Sequence, residues 1–359
     1  MMTRRRSGID TQQPHARGPQ RVGDARLKIY LYHIPPVAVV GITPALVEAA
    51  KKEGKVSWYT SVDLPLAERV AKVFEAKYPG VSLKVERSGA ERNFQRIGQE
   101  YASKIYNCDV VNSSDAAHLI LWKRQSLLAA YVPEDVAQFF PAAHKDPDGM
   151  FASWRYMLCP VAYNTKLVKP EDAPKSYADL LDPKWTSKIV KAHPGYSGTI
   201  MTATQQLSRD LGWAWFEKLA KQKIMQVQSA TEPPKKIAQG ERAIMADGGE
   251  YVVVELKKKG EPVELIYPSE GTPLVTGPSG IMARAPNPNA ARLFYSWSMT
   301  AEAQQLNVDV GALRSAHPQV KDRADMKKSA DIKTLREEAA VVADKADEIK
   351  AQYVKIFKV

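Results

Sequence analysis

The sequence predicts an α/β protein of two lobes, each a mostly parallel sheet flanked by helices. Its 359 residues fit two domains of roughly 150 residues each. Strand and helix patterns alternate as β-α-β-α-β-α from residue 55 to residue 124, and the alternation returns between residues 188 and 259. Such alternation is typical of parallel strands joined by helices that cover the sheet. We therefore expect two lobes with a hinged cleft between them.

The elements of the first lobe follow from caps and apolar spacing. Thr43 and Pro44 fit an N-cap and a first helical position, so a helix is predicted over 45–52, with Gly54 ending it. A strand is predicted over 55–60. Asp63 then caps a helix whose apolar residues share one face: Leu66, Val70, Val73 and Phe74. The remaining predicted elements are strand 81–86, helix 90–104, strand 108–111 and helix 114–124.

The second lobe repeats this pattern. Its predicted elements are strand 188–192, helices 197–211 and 213–221, strand 242–247 and helix 249–259. Strand-like stretches 154–163 and 273–282 lie between the two blocks, so we expect the chain to cross between the lobes there. Helices over 288–310 and after Ser329 are expected to pack on the first lobe and across both. The predicted division is a leader over 1–41, lobe 1 over 42–155 with 278–359, and lobe 2 over 156–277.

Composition narrows the class of protein. Hydrophobic residues make up 44% and charged residues 25% of the chain, which excludes a disordered or collagenous protein. No apolar run reaches the roughly 18 to 20 residues that a membrane-spanning helix needs, so an integral membrane protein is not expected. Cys108 and Cys159 are too few for a disulfide framework or a cysteine-based zinc site. Both are interpreted as small buried hydrophobic residues.

The net charge of +11 raises nucleic acid as a partner, but its distribution argues against one. Residues 1–28 hold seven basic and two acidic residues, and nothing resembles a zinc finger, an RNP motif or a basic zipper. The arginine-rich start suggests an export signal, yet its apolar part, 29–41, is interrupted by His33, Pro35 and Pro36. We therefore expect 1–41 to be a disordered or atypical leader and the mature chain to begin near Ile42.

Five turns that follow predicted strands carry small or polar residues. In open parallel sheets, ligands bind outside the carboxyl ends of the strands, where helix N-termini present free backbone amides. Each turn alone is weak evidence, since Ser, Asp and Gly also cap helices for structural reasons. Together they predict a cleft for an anionic or oxygen-rich ligand. The candidate ligand-binding residues in these turns are Thr60, Ser61, Asp63, Ser88, Gly89, Ser113, Ser114, Asp115, Tyr196, Ser197, Gly198, Thr199, Asp247, Glu250 and Tyr251.

The helix that starts near Ser197 is the predicted anion site. Its N-terminus offers unpaired N–H donors and about half a positive charge, while Gly198 permits close approach of the backbone. Asp115, across the cleft, would repel an anion and is assigned to a hydroxyl, an amine or a metal. Arg92 and Arg155 are candidate partners of an anion. Alternatively, Arg92 pairs with Glu91 or Glu100 on a solvated helix face, and Arg155 stacks on Trp154 at the hinge.

Catalytic signatures are missing from the sequence. It contains no P-loop, no Gly-x-Gly-x-x-Gly, no His-Glu-x-x-His and no Gly-x-Ser-x-Gly motif. Its six histidines are dispersed, and none has a second His or a Cys three or four residues away. His118 lies among Leu119, Ile120 and Leu121 and is interpreted as a buried histidine. We therefore expect a binding protein without enzymatic activity.

Residues 55–320 resemble the periplasmic solute-binding proteins of ABC importers, in the family that includes the ferric-iron-binding proteins. The motifs that carry the resemblance are Val56-Ser-Trp-Tyr-Thr-Ser61, Phe74-Glu-Ala-Lys-Tyr-Pro-Gly80, Ser88-Gly89, Asp109-Val-Val, Tyr163-Asn-Thr-Lys-Leu167, Tyr177 to Trp185, Ser197-Gly198, Gly240-Glu-Arg-Ala243 and Gly271-Thr-Pro to Met282. The resemblance implies a type II periplasmic-binding-protein fold with a hinged cleft, a periplasmic location, a monomer, and delivery of the solute to an ABC permease in the inner membrane.

The family's iron chemistry is only partly matched. Iron-binding members are similar in having a His, a Glu and two adjacent tyrosines, whose places here fall at Val62-Asp63, Ser113-Ser114 and Glu250-Tyr251. Asp63, Glu250 and Tyr251 offer hard oxygen ligands, so ferric iron with a synergistic anion stays an alternative. The turn Ser197-Gly198-Thr199 matches the place where such proteins hold an anion. No cofactor is expected, and an enzyme on the same two-lobed architecture is a further alternative.

Overall fold

A computed structural model describes residues 38–359, and within this range the chain forms thirteen strands and twelve α-helices. The strands are β1 (Val39–Val40), β2 (Lys55–Thr60), β3 (Ser82–Arg87), β4 (Val110–Asn112), β5 (Leu128–Ala129), β6 (Val132–Pro133), β7 (Ala152–Leu158), β8 (Val161–Asn164), β9 (Ile189–Ala192), β10 (Met225–Val227), β11 (Ile244–Met245), β12 (Val263–Ile266) and β13 (Leu274–Met282). The helices are α1 (Pro44–Glu53), α2 (Leu64–Lys77), α3 (Ala90–Ala102), α4 (Ala116–Arg124), α5 (Glu134–Phe139), α6 (Gly198–Leu211), α7 (Trp213–Ala220), α8 (Glu232–Ala238), α9 (Glu250–Lys258), α10 (Pro288–Ser298), α11 (Ala301–Gly311) and α12 (Ala339–Phe357).

The strands form two larger sheets, and the two lobes are defined here as each sheet with the helices packed on it. The first sheet has the order β3-β2-β4-β13-β5, with β7 also paired to β13. The second has the order β10-β9-β11-β8-β12. The predicted α/β class with two sheets is confirmed, but the sheets are mixed rather than mostly parallel. Strands β13, β8 and β12 run antiparallel to their neighbours, because they belong to the stretches where the chain passes between the sheets.

Strands β7 and β13 form the hinge, where the chain leaves the first sheet and returns to it. They pair antiparallel from Leu274 opposite Leu158 to Ser279 opposite Ala152, with a register shift between Gly277 and Pro278. All of β13 and most of β7 lie in the stretches predicted to cross between the lobes, 273–282 and 154–163. The change of sheet occurs between β7 and β8 and between β12 and β13. The finer lobe boundaries stay a prediction.

Each lobe has its own aromatic core. In the first, Trp58 lies between Trp154 and Phe294, with ring centroids 5.4 and 5.3 Å away. In the second, Phe216 contacts Trp215 at 4.9 Å between ring centroids. These rings are almost fully buried, and burial of large aromatic side chains dominates the stability of such cores. Apolar residues of α6 and α9, such as Ala203 and Val252, also join the first-lobe core, so the two lobes are packed together behind the cleft.

Local signals in the sequence are reproduced at several helix ends. The Thr43 hydroxyl accepts a hydrogen bond from the Leu46 N–H at 3.2 Å, and Gly54 ends the helix with a φ of 75°. Asp63 occupies the N-cap position of α2 but makes no capping bond with its side chain. The predicted run 288–310 is two helices, because Thr300 caps a new helix through a hydrogen bond from the Ala303 N–H.

Three elements of the second lobe were not predicted. Strands β10 and β12 are only three and four residues long, too short for a periodic pattern. Helix α8 carries two prolines, Pro233 and Pro234, which suit its first turn but weaken a helix signal in the sequence. The helices predicted after Ser329 are one long helix, α12, which contacts α4 in the first lobe and α6 and α7 in the second.

The predicted leader, 1–41, lies mostly outside the described residues. Its described end differs from the prediction, since Val39–Val40 pairs in parallel with Val132–Pro133. Two extended valines find a partner strand here that the sequence pattern did not indicate. The folded part of the chain therefore begins before Ile42.

Candidate functional site

The N-terminus of α6 lies at the end of β9, as predicted from the Ser197 turn. Ser197 is the N-cap residue, and its hydroxyl accepts a hydrogen bond from the Ile200 N–H at 3.4 Å. Gly198 and Thr199 are buried, whereas Tyr196 is 57% exposed at the rim. A helix of 14 residues carries a partial positive charge at this end. The turn therefore presents backbone donors, hydroxyls and a positive dipole to the cleft.

A cleft of about 290 Å³ lies in front of this helix end, between the two lobes. The first lobe and the hinge supply Ser61, Arg87, Gly89, Ala90, Glu91, Arg92, Ser114, Arg155 and Met157. The second lobe supplies Tyr196, Ser197, Gly198, Thr199, Gln228, Ser229, Ala230, Thr231, Glu232 and Tyr251. Ten of the predicted residues meet there: Ser61, Gly89, Arg92, Ser114, Arg155, Tyr196, Ser197, Gly198, Thr199 and Tyr251.

Arg155 is the most unusual side chain of the cleft. It is 2% exposed, and its Nε and Nη1 atoms have no hydrogen-bond partner among residues 38–359. Burial lowers the pKa of the guanidinium, and no carboxylate within this range forms an ion pair with it. Gly277, opposite it on β13, leaves room for the side chain, since a Cβ there would lie 2.9 Å from Arg155 Cγ. The hinge therefore holds a buried, unpaired cation beside the cleft.

The alternative in which Arg155 stacks on Trp154 does not hold. Neighbouring residues of a strand point to opposite faces of the sheet. Trp154 packs in the first-lobe core against Trp58, while Arg155 lines the cleft. The strand thus separates the apolar residue from the charged one.

Tyr251 lies in the cleft next to Arg155. Burial raises the pKa of its phenol to about 12, and the nearby Arg155 partly opposes that effect. The phenol is therefore neutral at physiological pH and keeps its proton for donation. It comes from the first turn of α9, on the second lobe.

The remaining charges of the cleft favour an anion. Arg87 donates from Nε to the Val62 carbonyl at 3.2 Å, and Arg92 is exposed on α3, with no ion pair among the described residues. The predicted alternative partner Glu100 is bonded to Arg96 instead. Among the acids, Glu232 accepts from its own turn, at the Gln228 and Ser229 N–H groups.

Glu91, the other acid of the cleft, interacts with neighbours outside it. Its carboxylate lies 3.4 Å from His118 Nε2 and 3.7 Å from Lys350 Nζ. The hydrogen bond from His118, chiefly, lowers the pKa of Glu91 to about 2 in spite of partial burial. The lining therefore carries three arginines and two glutamates, and within residues 38–359 none of the three arginines forms an ion pair with a carboxylate.

The family model for bacterial extracellular solute-binding proteins matches residues 69–334. The chain belongs to this family. The predicted class, a solute-binding component of an ABC importer, is thereby confirmed, with a small-molecule ligand and a membrane permease as its partners. No helix within residues 38–359 combines the length and apolar character needed to cross a bilayer.

The chain is similar to three further proteins. The probable ABC transporter periplasmic-binding protein y4fP of Sinorhizobium fredii is 25% identical over 75% of this chain and 77% of its own. The periplasmic binding protein AfuA from Actinobacillus pleuropneumoniae, solved with exogenous fructose-6-phosphate bound, is 24% identical and has a TM-score of 0.77, covering 86% of this chain and 99% of its own. Iron-bound HitA from Pseudomonas aeruginosa is 21% identical with a TM-score of 0.73, covering 84% and 99%. The two structures show the type II periplasmic-binding-protein fold.

Several predicted residues of this solute-binding protein lie behind the cleft lining. The Thr60 hydroxyl donates to Asn112 at 3.1 Å, and the Ser113 hydroxyl bonds with His118 at 3.0 Å. Asp115 accepts from the Ala117 N–H at 2.9 Å and so caps α4. These side chains hold the strand ends and turns in place. Ser88 and Asp63 also lie outside the lining.

The close packing of the first lobe against α6 requires a glycine at position 198. A Cβ at this position would lie 2.5 Å from Asp115 Cβ and 3.4 Å from Ala90 Cβ. The three helix N-termini of α3, α4 and α6 therefore meet closely here. The glycine permits the contact between the lobes at the back of the cleft.

Two acidic residues that were predicted to bind the ligand form buried ion pairs instead. Asp247 lies 2.6 Å from Lys191 Nζ, and Glu250 accepts from Arg314 Nε and Nη2, both at 2.8 Å. Glu250 also accepts from the Tyr267 hydroxyl. Of the alternative iron ligands, Tyr251 thus lines the cleft while Glu250 is held elsewhere. Within the described residues no cluster of three His, Cys, Asp or Glu residues has the geometry to hold a metal ion.

The sequence reasoning missed one wall of the cleft. Residues 228–232 follow β10, a strand too short to be predicted, and so this turn was not assigned to a strand end. Arg87 was also missed, although it directly follows the predicted strand 81–86; in the structure it is the last residue of β3. The Gln-Ser-Ala-Thr-Glu sequence of the turn before Pro233 was a usable signal, since it has the polar composition of the five turns that were found.

Proposed function

We propose that this solute-binding protein captures a small organic anion, with the anionic group bound between Arg155 and the N-terminus of α6. The observation that carries the proposal is the buried guanidinium of Arg155, which lines the cleft without an acid partner. An unpaired buried charge costs several kcal/mol of folding free energy. A ligand that supplies the missing acceptor recovers part of that cost on binding.

The helix end provides the second half of the anion site. The Gly198 and Thr199 backbone lies in the lining, and Ser197 adds a hydroxyl. Backbone N–H groups at a helix N-terminus bind phosphates and carboxylates through hydrogen bonds and through the helix dipole. Arg155 comes from the hinge and α6 from the second lobe, so a single anionic group there contacts two parts that move relative to each other. Closure of the lobes around the ligand follows from this arrangement.

The rest of the lining suits hydroxyls or amides of the solute. Ser61 and Ser114 face the cleft from the first lobe, and Gln228, Ser229 and Thr231 face it from the second. The fold is shared with AfuA, whose structure contains fructose-6-phosphate, an anion with several hydroxyls. This similarity supports a polyhydroxylated organic acid or a phosphate ester as the solute class.

A ferric-iron function receives less support. The fold is shared with iron-bound HitA, and Tyr251 lies in the cleft. However, the carboxylate of Glu250 is occupied by Arg314, and a lining with three arginines disfavours a trivalent cation. Binding without turnover, a periplasmic location and a monomer complete the proposal, with an ABC permease in the inner membrane receiving the solute.

Mass spectrometry of the protein under native conditions tests the proposal. The full chain should carry a bound organic anion, and calorimetry should give one molecule per chain with no chemical change of the solute. Arg155→Met should lose this affinity, whereas Arg69→Met, an exposed arginine on α2, should keep it. A neutral or cationic solute that binds equally to the wild type and to Arg155→Met would contradict the assignment.

A further inference from the structure

The last helix of the chain contacts both lobes. The lobes also meet at the hinge strands, at the close approach of Gly198 to Asp115 and through the Arg314–Glu250 ion pair. We call residues 333–357, which comprise α12 and the extended segment before it, the C-terminal strap. Helix α12 packs against α4 of the first lobe and against α6 and α7 of the second. The extended segment pairs with the start of the hinge, since the Thr272 N–H donates to Lys333 O and the Leu335 N–H donates to Thr272 O, both at 2.9 Å.

A small apolar cluster joins the strap to the two lobes at one point. Val342 and Ile349 of α12 are buried against Ala117 of α4 and Met201 of α6. The cluster therefore takes side chains from the first lobe, the second lobe and the strap. A change in the angle between the lobes must separate at least one of these faces, because close-packed side chains do not stretch.

The strap is anchored most firmly on the second lobe. Tyr353 is fully buried in the second-lobe core, and its hydroxyl donates to Gln226 at 2.9 Å. Glu338 lies 3.0 Å from Arg209 of α6. At the hinge, Glu337 accepts hydrogen bonds from the N–H and the hydroxyl of Thr276, at 3.1 and 2.6 Å.

The contact with the first lobe is weaker and more exposed. Outside the apolar cluster it includes two ion pairs, Arg124 with Asp344 at 2.6 Å and Lys350 with Glu91 at 3.7 Å. The side chains of Arg124 and Asp344 are 48% and 59% exposed. Exposed ion pairs contribute little each and are easily broken. Glu91 also lines the ligand cleft, so this contact lies directly behind it.

We propose that the C-terminal strap is a latch that holds the two lobes together: it stays on the second lobe and separates from α4 when the cleft opens. The strength of the α4–α12 contact then sets the fraction of closed molecules before any ligand binds. Replacing Arg124 and Lys350 by glutamate should raise the open fraction about fivefold, because the change removes two attractions and adds two repulsions. This inference does not depend on the identity of the solute.

A thiol placed in the contact reports its opening. Ala117→Cys buries a cysteine against α12, and its reaction with a maleimide requires the contact to separate. Labelling should be about fivefold faster in Arg124→Glu/Lys350→Glu than in the otherwise wild-type full chain. The matched control is Lys51→Glu/Arg69→Glu, with the same charge change on α1 and α2, and it should label at the wild-type rate. Native Cys108, buried in the first-lobe core, reports unfolding and should label equally in all three proteins.

Distances between spin labels identify the part that moves and do not require Ala117→Cys to fold. Labels at the exposed positions Gln99 on α3 and Lys355 on α12 should show a longer distance in the charge-reversed protein than in its control. Labels at Lys235 on α8 and Lys355 should keep one distance in both. Equal labelling rates together with equal Gln99–Lys355 distances in the variant and the control would overturn the proposal. A longer Lys235–Lys355 distance would also overturn it, because the strap would then leave the second lobe.

Discussion

Two buried arginines of this protein should respond in opposite ways to the same substitution. Arg155 and Arg314 are 2% and 1% exposed, yet Arg155 has no acid partner while Arg314 pairs with Glu250 through two hydrogen bonds. We expect Arg155→Met to stabilise the ligand-free protein and Arg314→Met to destabilise it. Methionine keeps an unbranched apolar side chain in both places, so the comparison isolates the charged group.

The expected change in the free energy of unfolding depends on which groups lose a partner when each guanidinium is removed. Removing the buried charge of Arg155 relieves its desolvation and orphans no acid, so the free energy of unfolding should rise by about 1–4 kcal/mol. Removing Arg314 leaves the Glu250 carboxylate buried with the Tyr267 hydroxyl as its remaining strong partner. Breaking a buried pair in this way costs about 3–5 kcal/mol.

Urea denaturation of the ligand-free full chain at pH 7 measures both changes. Inorganic phosphate serves as an anion probe in the same experiment, with chloride at equal ionic strength as the control. Phosphate at 100 times its dissociation constant should add about 2.7 kcal/mol to the wild type. It should add much less to Arg155→Met. Destabilisation of Arg155→Met to the same extent as Arg314→Met would refute the reasoning, because Arg155 would then have an intramolecular partner.

Three further predictions concern the anion site, the hinge and the second lobe. Ser197→Ala should weaken phosphate binding about tenfold by calorimetry, since a hydrogen bond to a charged acceptor contributes about 1.5 kcal/mol or more; unchanged affinity would place the anion elsewhere. Burial raises the pKa of Glu337 to about 8, above its unfolded value near 4.3. The free energy of unfolding of the wild type should therefore fall as pH rises from about 4 to about 8, and Glu337→Gln should lose this decline. Parallel pH profiles of the two proteins would contradict this prediction. Lys191→Met should lower the free energy of unfolding by about 3–5 kcal/mol, because it leaves Asp247 buried and unpaired; a change below about 1 kcal/mol in denaturant unfolding would show that the pair is dispensable.

The features that the sequence predicted correctly depend on interactions between residues close together in the chain. The Thr43 cap, the Gly54 stop and the Ser197 cap involve neighbours within four residues, and each is present in the structure. The turns at Ser61, Ser114 and Ser197 were recognised because strand ends in α/β folds lie at one edge of the sheet. Elements with weak local signals were missed, such as β10, which forms by pairing with β9.

The acidic candidate residues show which contacts could not be predicted from neighbouring sequence. Asp247, Glu250 and Asp115 were predicted to face the cleft, since each lies in a polar turn. Their partners are Lys191, 56 positions earlier in the chain, Arg314, 64 positions later, and the Ala117 N–H of the same helix cap. A carboxylate in a turn satisfies its hydrogen bonds wherever the fold brings a cation, and that choice is made by long-range packing.

The sequence by itself determined the α/β class, the order of most helices and strands, the anion-suited turn before α6 and the family. These features follow from periodicity, caps and short motifs, whose physics acts over a few residues. The tertiary structure alone decided that Arg155 is buried without a partner, that Glu250 is held by Arg314, and that α12 contacts both lobes. The reason is physical: the cost of burying a charge and the contacts of a helix face depend on which distant segments pack against them.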